Sequence, residues 1–253
     1  MSATSHSQAN TAVVLLLLLL MPLLLWWFTR RARETKEFPF RPIIAFQTLQ
    51  GLLGRTAESG KRVHLSLGSS WVGGDQTAAL AVGLTVLRHL ADEGAALGIS
   101  PIVTVADPAL MLVAQDTLYR AYQRTGLTTG YRSTDVQMIA PDPTAYAVGA
   151  QETINRETVG ANVMIGHFGE EYLLLGEPGA QREIVQMVGA DSVPVQPLMW
   201  ATSDRVLLGE ELFAAGAYLT HRPEHIASLY LQDTLRVLIV IAIAIGVLLR
   251  TLG

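Results

Sequence analysis

The sequence predicts an α/β protein, a parallel, Rossmann-like, doubly wound sheet domain flanked by N- and C-terminal transmembrane helices. Three observations carry this. Residues 62–90, RVHLSLGSSWVGGDQTAALAVGLTVLRHL, read as strand, glycine-rich turn and helix. Val63, Leu65 and Leu67 alternate at the period of a strand, while Ala79, Val82, Val86, Leu87 and Leu90 recur at helical spacing. A helix this apolar has to lie between a sheet and another layer, so the sheet is covered on both faces. Second, an Asp-Pro pair follows an apolar run at Asp107-Pro108 and again, 35 residues later, at Asp142-Pro143. That separation is one βα period of a wound sheet. Third, long uncharged apolar runs stand at both ends of the chain.

Taken in order, residues 1–10 are small and polar and read as a disordered N-terminus. Residues 11–28, TAVVLLLLLLMPLLLWWF, carry no charge and as a helix cover roughly 27 Å, close to the hydrocarbon thickness of a bilayer. Trp26, Trp27, Arg30, Arg31 and Arg33 after it resemble an interfacial anchor rather than a signal-peptide cleavage site. The transmembrane helix is placed at 11–29, followed by a basic linker and a proline-opened amphipathic helix at 30–54. The α/β domain is placed at 55–222. Within it, Asp75 or Thr77 is expected to cap the first long helix. Strands are expected at 101–107, 136–140 and 162–168, with helices opening at Pro108 and Pro143 on aspartate caps. Residues 171–175 read as a further short strand or hairpin, 192–200 as an extended connection, and 203–219 as one helix. Pro223 opens a helix that runs into a second span at 237–249, bounded by Arg236 and Arg250.

Charge divides the chain the same way. Residues 55–235 hold 11 basic and 20 acidic side chains, net −9, whereas the rest holds 7 basic and 2 acidic, net +5. An acidic domain is a poor partner for phosphate backbones, so nucleic acid is not expected as a partner. The basic residues all follow the first apolar run and none precedes it, which places the N-terminus outside and the domain on the cytosolic side. Without cysteine the chain has no disulfide, thiolate metal site or cysteine nucleophile.

In a parallel α/β sheet, ligands sit beyond the carboxyl ends of the strands. Gly68, Ser69, Ser70, Gly73, Gly74 and Asp75, then Asp107, Asp142 and His167, are the candidate ligand-binding residues there. The loop GSSWVGGDQ lacks the lysine of a P-loop and does not match G-x-G-x-x-G, so no nucleotide cofactor is implied. HRPEH at 221–225 has the spelling of a zinc-peptidase motif, but Pro223 leaves His221 outside any helix that carries His225, and no metal is expected. The neighbouring pairs Glu170-Glu171 and Glu210-Glu211 point apart and read as solvated charge. No acid, base and nucleophile stand together as a catalytic set.

The segments RVHLSLGSSWVGGDQTAALAVGLTVL, PIVTVADPAL, MIAPDPTAYAVG, ANVMIGHFGEEYLLL and RVLLGEELFAAGAYLT, in this order, resemble an uncharacterised family of bacterial membrane proteins. It is a domain of unknown function common in green non-sulfur bacteria. The resemblance covers residues 40–235 and implies an inner-membrane protein with no assigned activity and no catalytic residue to carry over. Two functions remain open. The first is a membrane-anchored interaction or scaffold protein whose partners are the lipid bilayer and other membrane proteins or copies of itself. The second is a small-ligand-binding or enzymatic domain with its pocket at the strand ends.

Overall fold

The computed structural model describes residues 18, 20–34, 41–71, 73–74, 76–127 and 130–252. The chain divides into two compact units, residues 41–220 and residues 1–40 with 221–253.

The larger unit is built on a six-stranded, wholly parallel sheet. Its strands are β1 (Arg62–Gly68), β2 (Ile102–Val105), β3 (Val136–Met138), β4 (Val159–His167), β5 (Val185–Ala190) and β6 (Arg205–Leu208), in the order β3-β2-β1-β4-β5-β6. This is the doubly wound order that the βα repeat predicts. Helices α3 (Thr77–Leu97) and α4 (Pro108–Thr125) pack on each other and on one face of the sheet. The other face is covered by α5 (Pro143–Arg156), α6 (Tyr172–Gln181) and α7 (Gln196–Thr202). The central strands are buried on both faces: Val63, Leu65 and Leu67 of β1 face α3, and His64 and Ser66 face α5, all fully out of solvent.

Local chemistry explains where the elements begin. Asp107 accepts hydrogen bonds from the amides of Ala109 and Leu110 at 2.6 and 3.1 Å, and Pro108 stands in the first turn of α4. Asp142 accepts from the amide of Ala145 at 2.9 Å, with Pro143 opening α5. Both are the expected aspartate caps, which satisfy amides that have no partner inside the helix.

Four expectations are corrected. The amphipathic segment after Pro42 is two helices, α1 (Ile44–Leu49) and α2 (Leu52–Glu58), because Gly51 takes a left-handed φ of 70° between them. It buries Phe46, Leu49 and Leu53. Residues 171–175 are neither strand nor hairpin but the start of α6, whose buried Tyr172, Leu175, Gly176 and Gly179 follow helical spacing despite Pro178 in its interior. The segment at 192–200 is not extended throughout, since Pro197 lies in the first turn of α7, where proline has no helical amide to lose. Residues 203–219 are not one helix. They form β6, then α8 (Glu210–Phe213) and α9 (Ala215–Thr220), with Gly209 at a φ of 52° turning strand into helix.

In the smaller unit, residues 20–34 are helical, so the helix runs through the first five residues of the expected linker. The expected span at 11–28 lies in part outside the described residues. Helix α10 (Pro223–Leu252) is continuous for 30 residues, as the proline start predicts. Among the described residues it is the one helix long and apolar enough to cross a membrane. Phe28 stacks on Tyr230 at 6.2 Å between ring centroids, and Arg33 pairs with Glu224 at 3.2 Å. Rising numbers on one helix meet falling numbers on the other, so the two helices of this unit run antiparallel.

Candidate functional site

In this strand order the chain leaves β1 towards β2 on one side and leaves β4 towards β5 on the other. The switch point is therefore the boundary between the carboxyl ends of β1 and β4. The two backbones approach there more closely than any side chain allows. A Cβ on Gly68, at a φ of 71°, would lie 2.2 Å from the His167 carbonyl oxygen, and one on Gly166 would lie 2.2 Å from that of Leu67. The register also shifts between Ser66 and Gly68.

Hydrogen bonds then lace the two loops together. The Ser69 amide donates to the His167 carbonyl at 3.0 Å, and the His167 amide donates to Ser70 Oγ at 3.1 Å. Glu171 Oε1 accepts from the Gly169 amide at 2.8 Å and lies 3.4 Å from Ser69 Oγ. Glu171 is thus a structural acceptor rather than the solvated charge expected for it. The serines are likewise structural: Ser70 is completely buried with its oxygen taken by an amide, and Ser69 is 6% exposed.

What remains open at this junction is a histidine. His167 Nδ1 lies 2.7 Å from Asp191 Oδ1, at the end of the neighbouring strand β5, and the two side chains are 29% and 24% exposed. The carboxylate holds the ring by accepting a hydrogen bond from Nδ1–H. Nε2 is then the ring atom without a hydrogen bond among the described residues, available as an acceptor to a ligand. Asp191 was not among the sequence candidates. The pattern was present, since VQMVGAD at 185–191 ends an apolar strand in aspartate as IVTVAD at 102–107 does.

The remaining candidates are dispersed. Gly73 and Gly74 lie exposed in the loop after β1, beside the half-exposed Trp71, whose ring passes 3.6 Å from the position a Gly74 Cβ would take. Asp75 lies outside the described residues. Thr77 does not cap α3: the cap position is Gln76, with no side-chain cap bond. Asp107 and Asp142 follow β2 and β3, so at about 4.8 Å per strand they sit roughly 10 and 15 Å along the sheet from β4. The sheet thus brings Gly68, Ser69, Ser70 and His167 together and leaves the two aspartates as caps. His221 precedes α10 at a φ of 52° and His225 is exposed on that helix. No group of three metal-ligating side chains is present among the described residues.

A second polar system lies inside the sheet. Gln186 Nε2 donates to the carbonyls of Gly176 and Thr202 at 2.8 and 2.6 Å, so its Oε1 accepts from Asn162 Nδ2 at 3.2 Å. Asn162 Oδ1 therefore faces His64 Nδ1, at 2.8 Å, and that nitrogen must carry the proton. His64 Nε2 in turn accepts from the Thr104 hydroxyl at 3.0 Å. The chain ends where Tyr146 OH meets Thr104 Oγ1 at 3.0 Å and Ser66 Oγ at 2.6 Å. Burial pushes the His64 pKa down to about 4 and that of Tyr146 up to about 12, so both are neutral at physiological pH. This ladder crosses β2, β1, β4 and β5 and is closed to solvent. It is a device of the core, not a site.

The model of a family described as a domain of unknown function, DUF6754, matches residues 2–253. The chain belongs to the DUF6754 family. The match reaches both apolar ends of the chain as well as the α/β unit, whereas the sequence resemblance extends over 40–235. Neither the curated proteins nor the solved structures gave a match.

Proposed function

We propose that this DUF6754 protein is a membrane-anchored, cytosolic α/β domain that binds a small polar ligand at the carboxyl ends of β1, β4 and β5. One observation carries the reading: at the switch point of a doubly wound sheet, Asp191 orients His167 and leaves Nε2 without a hydrogen bond among the described residues, at the strand ends where the glycine loop after β1 also begins. Asp191, Glu171 and the net charge of −9 over residues 55–235 favour a neutral or cationic ligand that donates hydrogen bonds over an anion. Anchoring is supported by the 18-residue window of α10 with mean hydropathy 2.1, none of it buried. The antiparallel partner helix and the basic residues after residue 28 fit two crossings of a bacterial inner membrane with both termini outside.

Thermal-shift screening of the full chain in mild detergent, against amino acids, polyamines and nucleosides, tests the reading. A ligand at 100 times its Kd adds about 2.7 kcal/mol, several degrees for a chain of this size. The shift is expected to vanish in His167→Ala and to weaken in Asp191→Asn. Ligand-induced shifts that survive both substitutions overturn the assignment.

The interaction or scaffold role is favoured by a different observation. Leu112, Val113 and Tyr119 lie exposed along α4, at 63%, 44% and 42%. A self-assembling protein gives a particle of two or more chains in gentle detergent, dispersed by Leu112→Asp; a monomer with no co-purified protein contradicts it.

A further inference from the structure

We propose that the buried row Gln186, Asn162 and His64 is a register lock, and that these three residues position His167 against Asp191 and Gly68 further along the same strands. The inference concerns where the strands end and holds whichever ligand the strand ends take. In this row strand register and side-chain hydrogen bonds coincide. His64 stands level with Asn162, and Asn162 with Gln186. Each pair is joined side chain to side chain, at 2.8 and 3.2 Å, and His64 Nε2 extends the row to Thr104 on β2. Five residues lead from Asn162 to His167 and five from Gln186 to Asp191. The histidine and its carboxylate therefore finish level, about 17 Å along the strands, with Nδ1 and Oδ1 2.7 Å apart. On β1 only four residues lead from His64 to Gly68, and the register shift between Ser66 and Gly68 takes up the difference, so that Gly68 pairs with His167.

The apolar pattern by itself leaves this register open. Ala161, Val163, Met164 and Ile165 of β4 are fully buried, as are Val63, Leu65 and Leu67 of β1. A strand that slides by two residues keeps its faces, and it still buries apolar side chains on both of them. The polar row does not allow the slide. Gln186 Nε2 is fixed by the carbonyls of Gly176 and Thr202, which leaves Oε1 as the acceptor for Asn162, and Asn162 Oδ1 is the acceptor for the Nδ1 proton of His64. Sliding β4 by two residues brings Gly160 or Met164 level with His64 and Gln186, and neither has a side chain that can replace the amide. His64 and Gln186 are completely buried, so the donor and the acceptor would then go unsatisfied. Each such loss weighs against the slid pairing by about fivefold to a hundredfold. The same slide carries His167 about 7 Å along the strand and out of reach of Asp191.

Disulfide trapping in the full chain, in mild detergent, reads the register directly, because the chain has no cysteine of its own. Ala161→Cys with Val185→Cys puts thiols on level residues of β4 and β5, about 4.8 Å apart between Cα atoms and within reach of a disulfide. Val159→Cys with Val185→Cys puts them two residues out of step, about 8 Å apart, and cross-links only when β4 has slid. The parent is expected to cross-link the first pair and not the second. His64→Leu with Asn162→Leu fills the row with apolar side chains, and should lower the ratio of the first cross-link to the second by about fivefold or more. Val163→Ala removes packing from the same strand and leaves the row intact, so it should lower the urea midpoint without changing the ratio. A double variant that keeps the parent's ratio overturns the lock, and so does a Val163→Ala variant whose ratio falls as far. If the double variant loses its cooperative urea transition, Asn162→Leu alone is read by the same two outcomes.

Discussion

Replacing His64 by glutamine should flatten the acid sensitivity of the fold. His64 is fully buried, donates from Nδ1 to Asn162 and accepts at Nε2 from Thr104, so its protonation in the folded state would put a charge in the core and turn an acceptor into a second donor. Its folded pKa is pushed down to about 4, against about 6.5 in the unfolded chain. Above pH 6.5 neither state binds the proton and the contribution is fully present. Between 6.5 and 4 the unfolded chain takes up the proton first, so stability falls as the pH falls. Below 4 both states are protonated and the loss is complete. Integrated over this window the loss is about 3 kcal/mol, equivalent to roughly 6–12 °C in melting temperature for a domain of this size. Carboxylates titrate in the same range, so the informative quantity is the difference between the native chain and His64→Gln. Glutamine keeps a hydrogen-bonding side chain of similar reach and does not titrate. Melting of the full chain in detergent, followed by tryptophan fluorescence at pH 7, 5.5 and 4, should show the two proteins converging as the pH falls. Parallel curves with a constant offset would refute the buried, neutral histidine.

Two further predictions concern helix ends. Asp107→Ala and Asp142→Ala should each lower stability by about 0.5–2 kcal/mol, with the larger loss at Asp107, which holds two amides, while both Asp→Asn variants stay close to neutral; urea melts of the four variants measure this, and a stabilised Asp107→Asn contradicts the capping role. Glu183 occupies the left-handed position after α6 at a φ of 54°, where its amide and that of Ile184 close onto the carbonyls of Ala180 and Gly179. Glu183→Gly should therefore raise stability by about 0.5–1 kcal/mol, read as a higher urea midpoint, and a lowered midpoint would show that the side chain itself stabilises the fold.

The sheet was legible because its signals are local. Val63, Leu65 and Leu67 alternate within one strand, and Asp107-Pro108 and Asp142-Pro143 write their helix starts into two adjacent residues. The misread stretches are those where proline or short length hides the period. Pro197 and Pro178 argue against helices that in fact tolerate them, and the four residues of β6 carry too little alternation to interrupt the apparent helix from Ser203 onward. The candidate site was half legible. Position at the strand ends singled out His167 and the glycine loop, but its partner Asp191 lies one strand away and 24 residues on. The fate of Ser69, Ser70 and His64 depends on partners about 100 residues distant, at His167, Glu171 and Asn162, and no periodicity encodes such pairings.

The proposed topology, an α/β domain in the cytosol with both chain ends crossing the membrane, can be tested directly because the chain is cysteine-free. Single cysteines replacing Ser5 and Ser59 can be challenged in intact cells with a membrane-impermeant thiol reagent. The account predicts labelling at position 5 and protection at position 59 until the membrane is permeabilised. Labelling at 59 with protection at 5 would contradict it.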